Sequence, residues 1–184
     1  MKRKDNNKMN KNLFKTILAA VLAALICVAT MIIQIPMPLT NGYVNFGDCF
    51  ILVTAWTLGG PWSFAAAGIG SALADLLTGY AHYVPGTLII KGLMAVVAVV
   101  IASGLGQMLP KFIGYVVGAI AAEAVMIAGY FFYAWLLLGK SAEGALSSVP
   151  GNAVQGAFGI ICGLIMIAAL DKTGVTSKVK KQVA

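Results

Sequence analysis

The sequence predicts an all-α fold, a bundle of six transmembrane helices, and three observations carry that expectation. The chain of 184 residues is 60% hydrophobic and 10% charged, with a mean hydropathy of +0.90, far from the balance of a soluble domain. Its apolar residues gather into long runs separated by short aromatic, Gly/Pro-rich or basic turns, the pattern a lipid solvent demands. Its positive charge gathers at the ends: Lys2, Arg3, Lys4, Lys8, Lys11 and Lys15 precede the first run, and Lys172, Lys178, Lys180 and Lys181 follow the last.

That distribution explains the net charge of +7. Juxtamembrane lysines suit an anionic cytoplasmic leaflet, whereas nucleic-acid binding would need a basic surface interleaved with aromatics. The length fits one domain, with basic tails over residues 1–12 and 172–184 and a membrane domain over 13–171. Cys27, Cys49 and Cys162 show neither metal-ligand spacing nor a disulfide framework. The first run is longer than a signal-peptide core and has no clear cleavage pattern, so it is expected to be retained.

Taken in order, the first span is expected over 14–35, stopped by Pro36 and Pro38. Within it Ala19 and Ala23 form one small-residue pair, and Ala20 and Ala24 another. Such strips let helices approach closely where apolarity alone drives no association, either inside this chain or with a partner. An outer loop over 39–47 carries Asn41, Tyr43 and Asn45. Asp48 then stands where a helix N-cap belongs, with ligand contact the other role open to its carboxylate. A short second run, 49–58, meets Gly59-Gly60-Pro61, a tight break, and the third span follows over 62–78 with Ala66, Gly70 and Ala74 as another strip. The second outer loop, 79–85, holds Tyr80, His82 and Tyr83. The fourth span runs over 86–109, an inner turn contains Lys111, and the fifth span covers 112–138 with Gly114, Gly118 and Ala122 at helical spacing. A third outer loop, 139–150, leads to the sixth span, ending at Leu170.

Six crossings place both termini on one side, and eleven of the thirteen Lys/Arg residues then lie on the expected cytoplasmic side. Val84-Pro85-Gly86-Thr87 echoes Val149-Pro150-Gly151-Asn152, which suggests similar helix-entry chemistry around a common outer pocket.

Asp75, Lys91 and Glu123 fall inside apolar runs. At about 1.5 Å per residue, Asp75 and Lys91 return to similar depths, roughly 6 and 8 Å below the outer loop, and Glu123 lies within reach of Lys91. An unpaired ion there costs about 2.5 to 3.5 kcal/mol, so a buried network is expected, with Lys91 paired to Asp75 or to Glu123, or lent to a ligand. Enzymatic readings fare poorly. One histidine excludes a multi-His metal centre, and Ser71, His82 and Asp75 do not make a convincing triad. No phosphate-binding loop that could drive transport by ATP is present.

The motifs Tyr43-Val-Asn45-Phe-Gly47-Asp48, Gly59-Gly-Pro61, Ala74-Asp75, Pro85-Gly86 with Lys91, and Pro150-Gly-Asn152 with Gln155 together resemble the substrate-binding S components of energy-coupling factor transporters, especially the riboflavin-type or vitamin-type group. The resemblance implies a six-helix subunit that binds a vitamin or precursor from outside. It implies as partners a membrane coupling subunit and two cytoplasmic ATPases, with no catalysis, no cofactor and no metal. It carries the ligand site onto Asn41, Tyr43, Asn45, Asp48, Tyr80, His82, Tyr83, Lys91, Asn152 and Gln155, and the coupling-subunit contact onto Ala19, Ala20, Ala23 and Ala24. Aromatic faces with amides and charges suit a polar heterocycle. The small polar set favours a vitamin B6-like compound or a hydroxymethylpyrimidine, with riboflavin or cobalamin as alternatives. An autonomous ion-coupled carrier is the alternative of a different class.

Overall fold

The computed structural model describes residues 2–37 and 42–183. Helix α1 (Lys2–Ile32) is followed by strands β1 (Gln34–Met37) and β2 (Gly42–Asn45). Helices α2 (Gly47–Leu58), α3 (Gly60–Leu77), α4 (Val84–Leu105) and α5 (Lys111–Phe132) come next; α5 continues as a π turn over Tyr133–Leu137. The short α6 (Ala142–Leu146), α7 (Val149–Lys172) and α8 (Val175–Val183) complete the chain.

Among the described residues, four segments, 11–32, 84–105, 111–137 and 142–172, are long and apolar enough to cross a bilayer. With its 12 residues, α2 spans only about 18 Å, less than a hydrocarbon core of about 30 Å. The break between α2 and α3 is made by Gly59 and Gly60, with φ of 67° and 54°, a left-handed conformation that glycine adopts without strain.

Three features differ from the expectation. Helix α1 reaches back into the basic segment and stops at Ile32, before Pro36. The expected outer loop is instead partly an antiparallel hairpin, with Gln34 opposite Asn45 and Pro36 opposite Tyr43. Four-residue strands are too short for periodicity to declare, and Pro36 is tolerated because both strands of a two-stranded ribbon are edges. Beyond Gly174, whose φ of 73° ends α7, the tail forms α8 and packs Val183 against the cluster of Ala19, Ala23, Leu58 and Ala66.

Small residues set the helix seams. A Cβ on Gly118 would lie 2.7 Å from the Ala98 carbonyl oxygen and one on Gly114 2.8 Å from that of Ala102, so α4 and α5 approach backbone to backbone. Gly70 of α3 meets the Ala23 carbonyl of α1 in the same way. Consequently Ala19 and Ala23 are buried within the chain, whereas Ala20 and Ala24 lie on the exposed face. The core between the seams joins Ile51, Leu52 and Trp56 of α2 to Met94 and Ala98 of α4, Ala119 and Met126 of α5, and Ile167 of α7. Apolar side chains such as Ile17, Leu25, Ile89, Val100 and Ile165 face outward, the arrangement lipid favours.

Candidate ligand site at the hairpin end

The hairpin, the first turns of α2, α4 and α7, and the last turns of α3 and α5 converge at one end of the bundle. The alternation of a strand turns Tyr43 and Asn45 to one face, and both are buried. The Tyr43 hydroxyl donates to Asp75 Oδ1 on α3 at 2.6 Å. The Asn45 backbone N–H and side-chain Nδ2 both donate to Gln155 Oε1 on α7, at 3.0 and 3.2 Å. Gln155 Nε2 in turn donates to Asp48 Oδ2 at 2.6 Å. The other oxygen of Asp48 forms a buried ion pair with the Lys91 ammonium of α4. A continuous polar chain therefore fastens the hairpin to α7, α7 to α2, and α2 to α4.

This geometry corrects the expected ion pair. Lys91 reaches Asp48, not Asp75 or Glu123, because α2 begins at Gly47 and sets Asp48 at the depth of Lys91. For the same reason Asp48 is not the N-cap: Phe46 occupies that position without a side-chain cap bond, and both Asp48 oxygens serve Lys91 and Gln155. Charge pairing inside the bundle outweighs a cap bond here, since capping contributes about 1 kcal/mol and an unpaired buried ion costs several.

Glu123 is buried, and neither of its oxygens has a hydrogen-bond partner among the described residues. It fits because α7 carries glycine opposite it: a Cβ on Gly159 would fall 2.7 Å from Glu123 Oε1 and 2.8 Å from Asp48 Cβ, and one on Gly156 3.1 Å from Glu123 Cβ.

Around the network opens a cavity of about 560 Å³ when the open space at its mouth is included. Tyr43, Asn45, Tyr83, Lys91, Asn152 and Gln155 line it, together with Asp75. Asp48 and Glu123 lie behind the lining. Tyr80 packs against Tyr43 with tilted rings whose centroids are 4.7 Å apart, and the exposed His82 ring packs 4.6 Å from that of Tyr83; neither lines the cavity. Asn41 lies outside the described residues. Burial, and then the Asp75 carboxylate, pushes the Tyr43 and Tyr83 phenols above their ordinary pKa, so both remain protonated.

Five hydroxyl-bearing lining residues were not singled out as ligand contacts from sequence: Thr30, Ser71, Thr87, Tyr130 and Ser148. A usable signal existed. Ser71 stands four residues before Asp75, Thr87 four before Lys91 and Ser148 four before Asn152, the spacing that shares one helix face. Thr87 and Tyr130 share a hydrogen bond at 3.0 Å, and the Lys91 ammonium lies 5.6 Å from the Tyr130 ring centre, within cation–π range. The Tyr133 ring closes against Gly86, where a Cβ would come within 2.7 Å of its atoms.

A helical membrane bundle with a polar cavity at one end defines a protein that binds a small molecule within the membrane. Residues 10–172 match the family model described as ECF-type riboflavin transporter, S component. The chain belongs to that family and is thus a vitamin-class, substrate-binding membrane subunit, not an enzyme, and family membership implies association with a membrane coupling component and ATPase subunits. An uncharacterised protein of Pyrococcus woesei is 37% identical over 138 residues, 75% of this chain and 88% of the relative. A protein of Lactococcus lactis subsp. cremoris named thiamine precursor transporter HmpT is 25% identical over 173 residues, 94% of this chain and 96% of the relative. A solved chain described under "Structure and mechanism of the S component of a bacterial ECF transporter" superposes with a TM-score of 0.67 and 19% identity, over 88% of this chain and 98% of that one; at that identity it speaks to the fold alone.

Proposed function

We propose that the cavity beneath the hairpin captures riboflavin at the extracellular face, for import driven by separate ATPases. The observation that carries this reading is the chemistry of the lining. Thr30, Ser71, Thr87 and Ser148 add aliphatic hydroxyls to the amides of Asn45, Asn152 and Gln155, a donor and acceptor set suited to a polyol chain, while Tyr43, Tyr83 and Tyr130 offer faces for a fused ring. The family description also names riboflavin. On these grounds riboflavin, an alternative from sequence alone, moves ahead of the B6-like and hydroxymethylpyrimidine ligands. Hydroxymethylpyrimidine remains a second reading, favoured by the name of the Lactococcus relative.

In this reading the chain crosses the membrane six times, with α2 and α3 as a short and a medium span and both termini cytoplasmic. The exposed pair Ala20 and Ala24 faces the coupling subunit, while Ala19 and Ala23 serve internal packing. Family membership weighs against the autonomous carrier.

Competitive calorimetry of the purified chain against riboflavin, hydroxymethylpyrimidine, pyridoxine and cobalamin tests the ligand assignment. Saturable one-to-one riboflavin binding is expected. Tight binding of hydroxymethylpyrimidine with no response to riboflavin would reverse the order. Uptake by the purified chain alone, abolished by collapsing an ion gradient, would overturn the ATP-dependent reading.

A further inference from the structure

The opposite end of the bundle holds a second cavity, of about 590 Å³ including its mouth, between the end of α2, the α4–α5 turn and α8. Its lining includes Trp56, Ser103, Gln107, Lys111, Tyr115 and Lys180. The site is rich in hydrogen-bond donors. At its floor Trp56 and Tyr115 are 2% and 4% exposed; the Tyr115 ring lies 5.2 Å from the Lys111 ammonium, whereas the Trp56 indole Nε1–H has no hydrogen-bond partner among the described residues. A buried donor left unpaired is costly, so this N–H beside the cavity calls for an acceptor.

The mouth is cationic. Lys111 opens the 22-residue α5, whose cap residue, Pro110, provides no side-chain cap bond, so the positive end of the helix adds to the charge of the mouth. Asp171 pairs with Lys111 at 2.8 Å. Lys180 has no ion pair among the described residues, and partial burial followed by the charge of Lys111 holds its ammonium below its ordinary pKa. Two ammonium groups on different helices, an uncapped helix start and an indole N–H approach the space from several directions. A tetrahedral oxyanion spreads its acceptor oxygens in several directions at once, whereas the two oxygens of a carboxylate lie in one plane.

We infer that this inner-end cavity binds a phosphate group, held by Lys111 and Lys180 at the mouth and by the Trp56 N–H within. The phosphate belongs either to an anionic lipid headgroup or to a soluble phosphate. Occupancy would pin α8 to the α4–α5 turn, far from the outer ligand cavity.

The test uses the full chain in neutral detergent. With W62F and W135F introduced, Trp56 is the sole indole, since the sequence has three tryptophans. Phosphatidylglycerol, phosphatidylcholine and inorganic phosphate are titrated in separate arms. Native mass spectrometry counts lipid adducts, and Trp56 emission reports occupancy. A saturable shift with phosphatidylglycerol but not phosphatidylcholine identifies a lipid source; a shift with inorganic phosphate as well identifies a soluble one. K111Q/K180Q should weaken binding about tenfold or more, the effect of losing even one charge-assisted bond of about 1.5 kcal/mol, and K178Q should leave it unchanged. Helical circular dichroism checks that the double variant folds. Should it not, W56F, which keeps both lysines and removes only the N–H donor, should still reduce phosphatidylglycerol adducts several-fold. The inference is overturned if neither phosphatidylglycerol nor phosphate moves Trp56 emission, or if K111Q/K180Q, or W56F in its place, binds like K178Q.

Discussion

Two Lys–Asp pairs, one at each end of the molecule, join the same chemical groups to opposite effect. Lys111 and Asp171 meet at 2.8 Å with side chains 52% and 30% exposed, so water and salt screen them and the bond contributes little. Lys91 and Asp48 meet with side chains 3% and 1% exposed, where neither ion can recover its hydration. The buried pair is also held by Gln155, and through Gln155 by the hairpin. Burial turns an ordinary contact into a structural commitment at the hairpin end, whereas the exposed pair fastens the start of α5 to the end of α7 with little at stake.

The largest effect is expected from Lys91→Met, which strands the Asp48 carboxylate and should destabilise the chain by about 3 to 5 kcal/mol, read as a lowered unfolding midpoint in detergent. Adding Asp48→Asn should recover part of that loss. A strictly additive double variant would show that the two groups are not coupled and erase the contrast between the ends. Next comes Gly159→Ala. Its methyl group would collide with Glu123 and Asp48, and overpacking of this kind costs about 1 to 3 kcal/mol; the same unfolding measurement checks it against Gly104→Ala, which meets nothing within 4 Å. Gln155→Leu sharpens the comparison by cutting the tie between hairpin and bundle. It leaves the Asn45 donors unpaired at about 1 to 3 kcal/mol and should speed hydrogen exchange in β2 more than in α5. Smallest is Lys111→Met, at most about 1 kcal/mol and diminishing as salt is raised. A loss matching that of Lys91→Met would contradict the exposure argument.

Helical spans were legible because apolar runs and Gly/Pro breaks act locally: the Gly59-Gly60 turn and the Gly114/Gly118 seam follow directly from residue type and spacing. The hairpin was not, since four-residue strands leave no period and their pairing is a tertiary event. The buried charges were legible as a group, because lysine and carboxylates inside apolar runs announce their cost. Their pairing was not, since Asp48 looked like a cap at the edge of a loop, and helix depth alone cannot tell which neighbour faces Lys91. Alternative faces of α1 were visible as two alanine pairs, but only packing against α3 shows that Ala19 and Ala23 turn inward. The hydroxyls of Thr87 and Ser148 could have been found, one turn before Lys91 and Asn152.

The central claim is that the ligand site lies in the hairpin-end cavity, and calorimetric titration of riboflavin into the purified chain and three variants tests it most directly. Asn152→Ala and Thr87→Val alter cavity-lining groups, and Lys111→Met alters the other end. The account predicts one-to-one binding, weakened about fivefold or more by each lining variant, at about 1 kcal/mol per lost hydrogen bond, and unchanged by Lys111→Met. Binding that both lining variants leave intact, or that Lys111→Met weakens as much as they do, would contradict it.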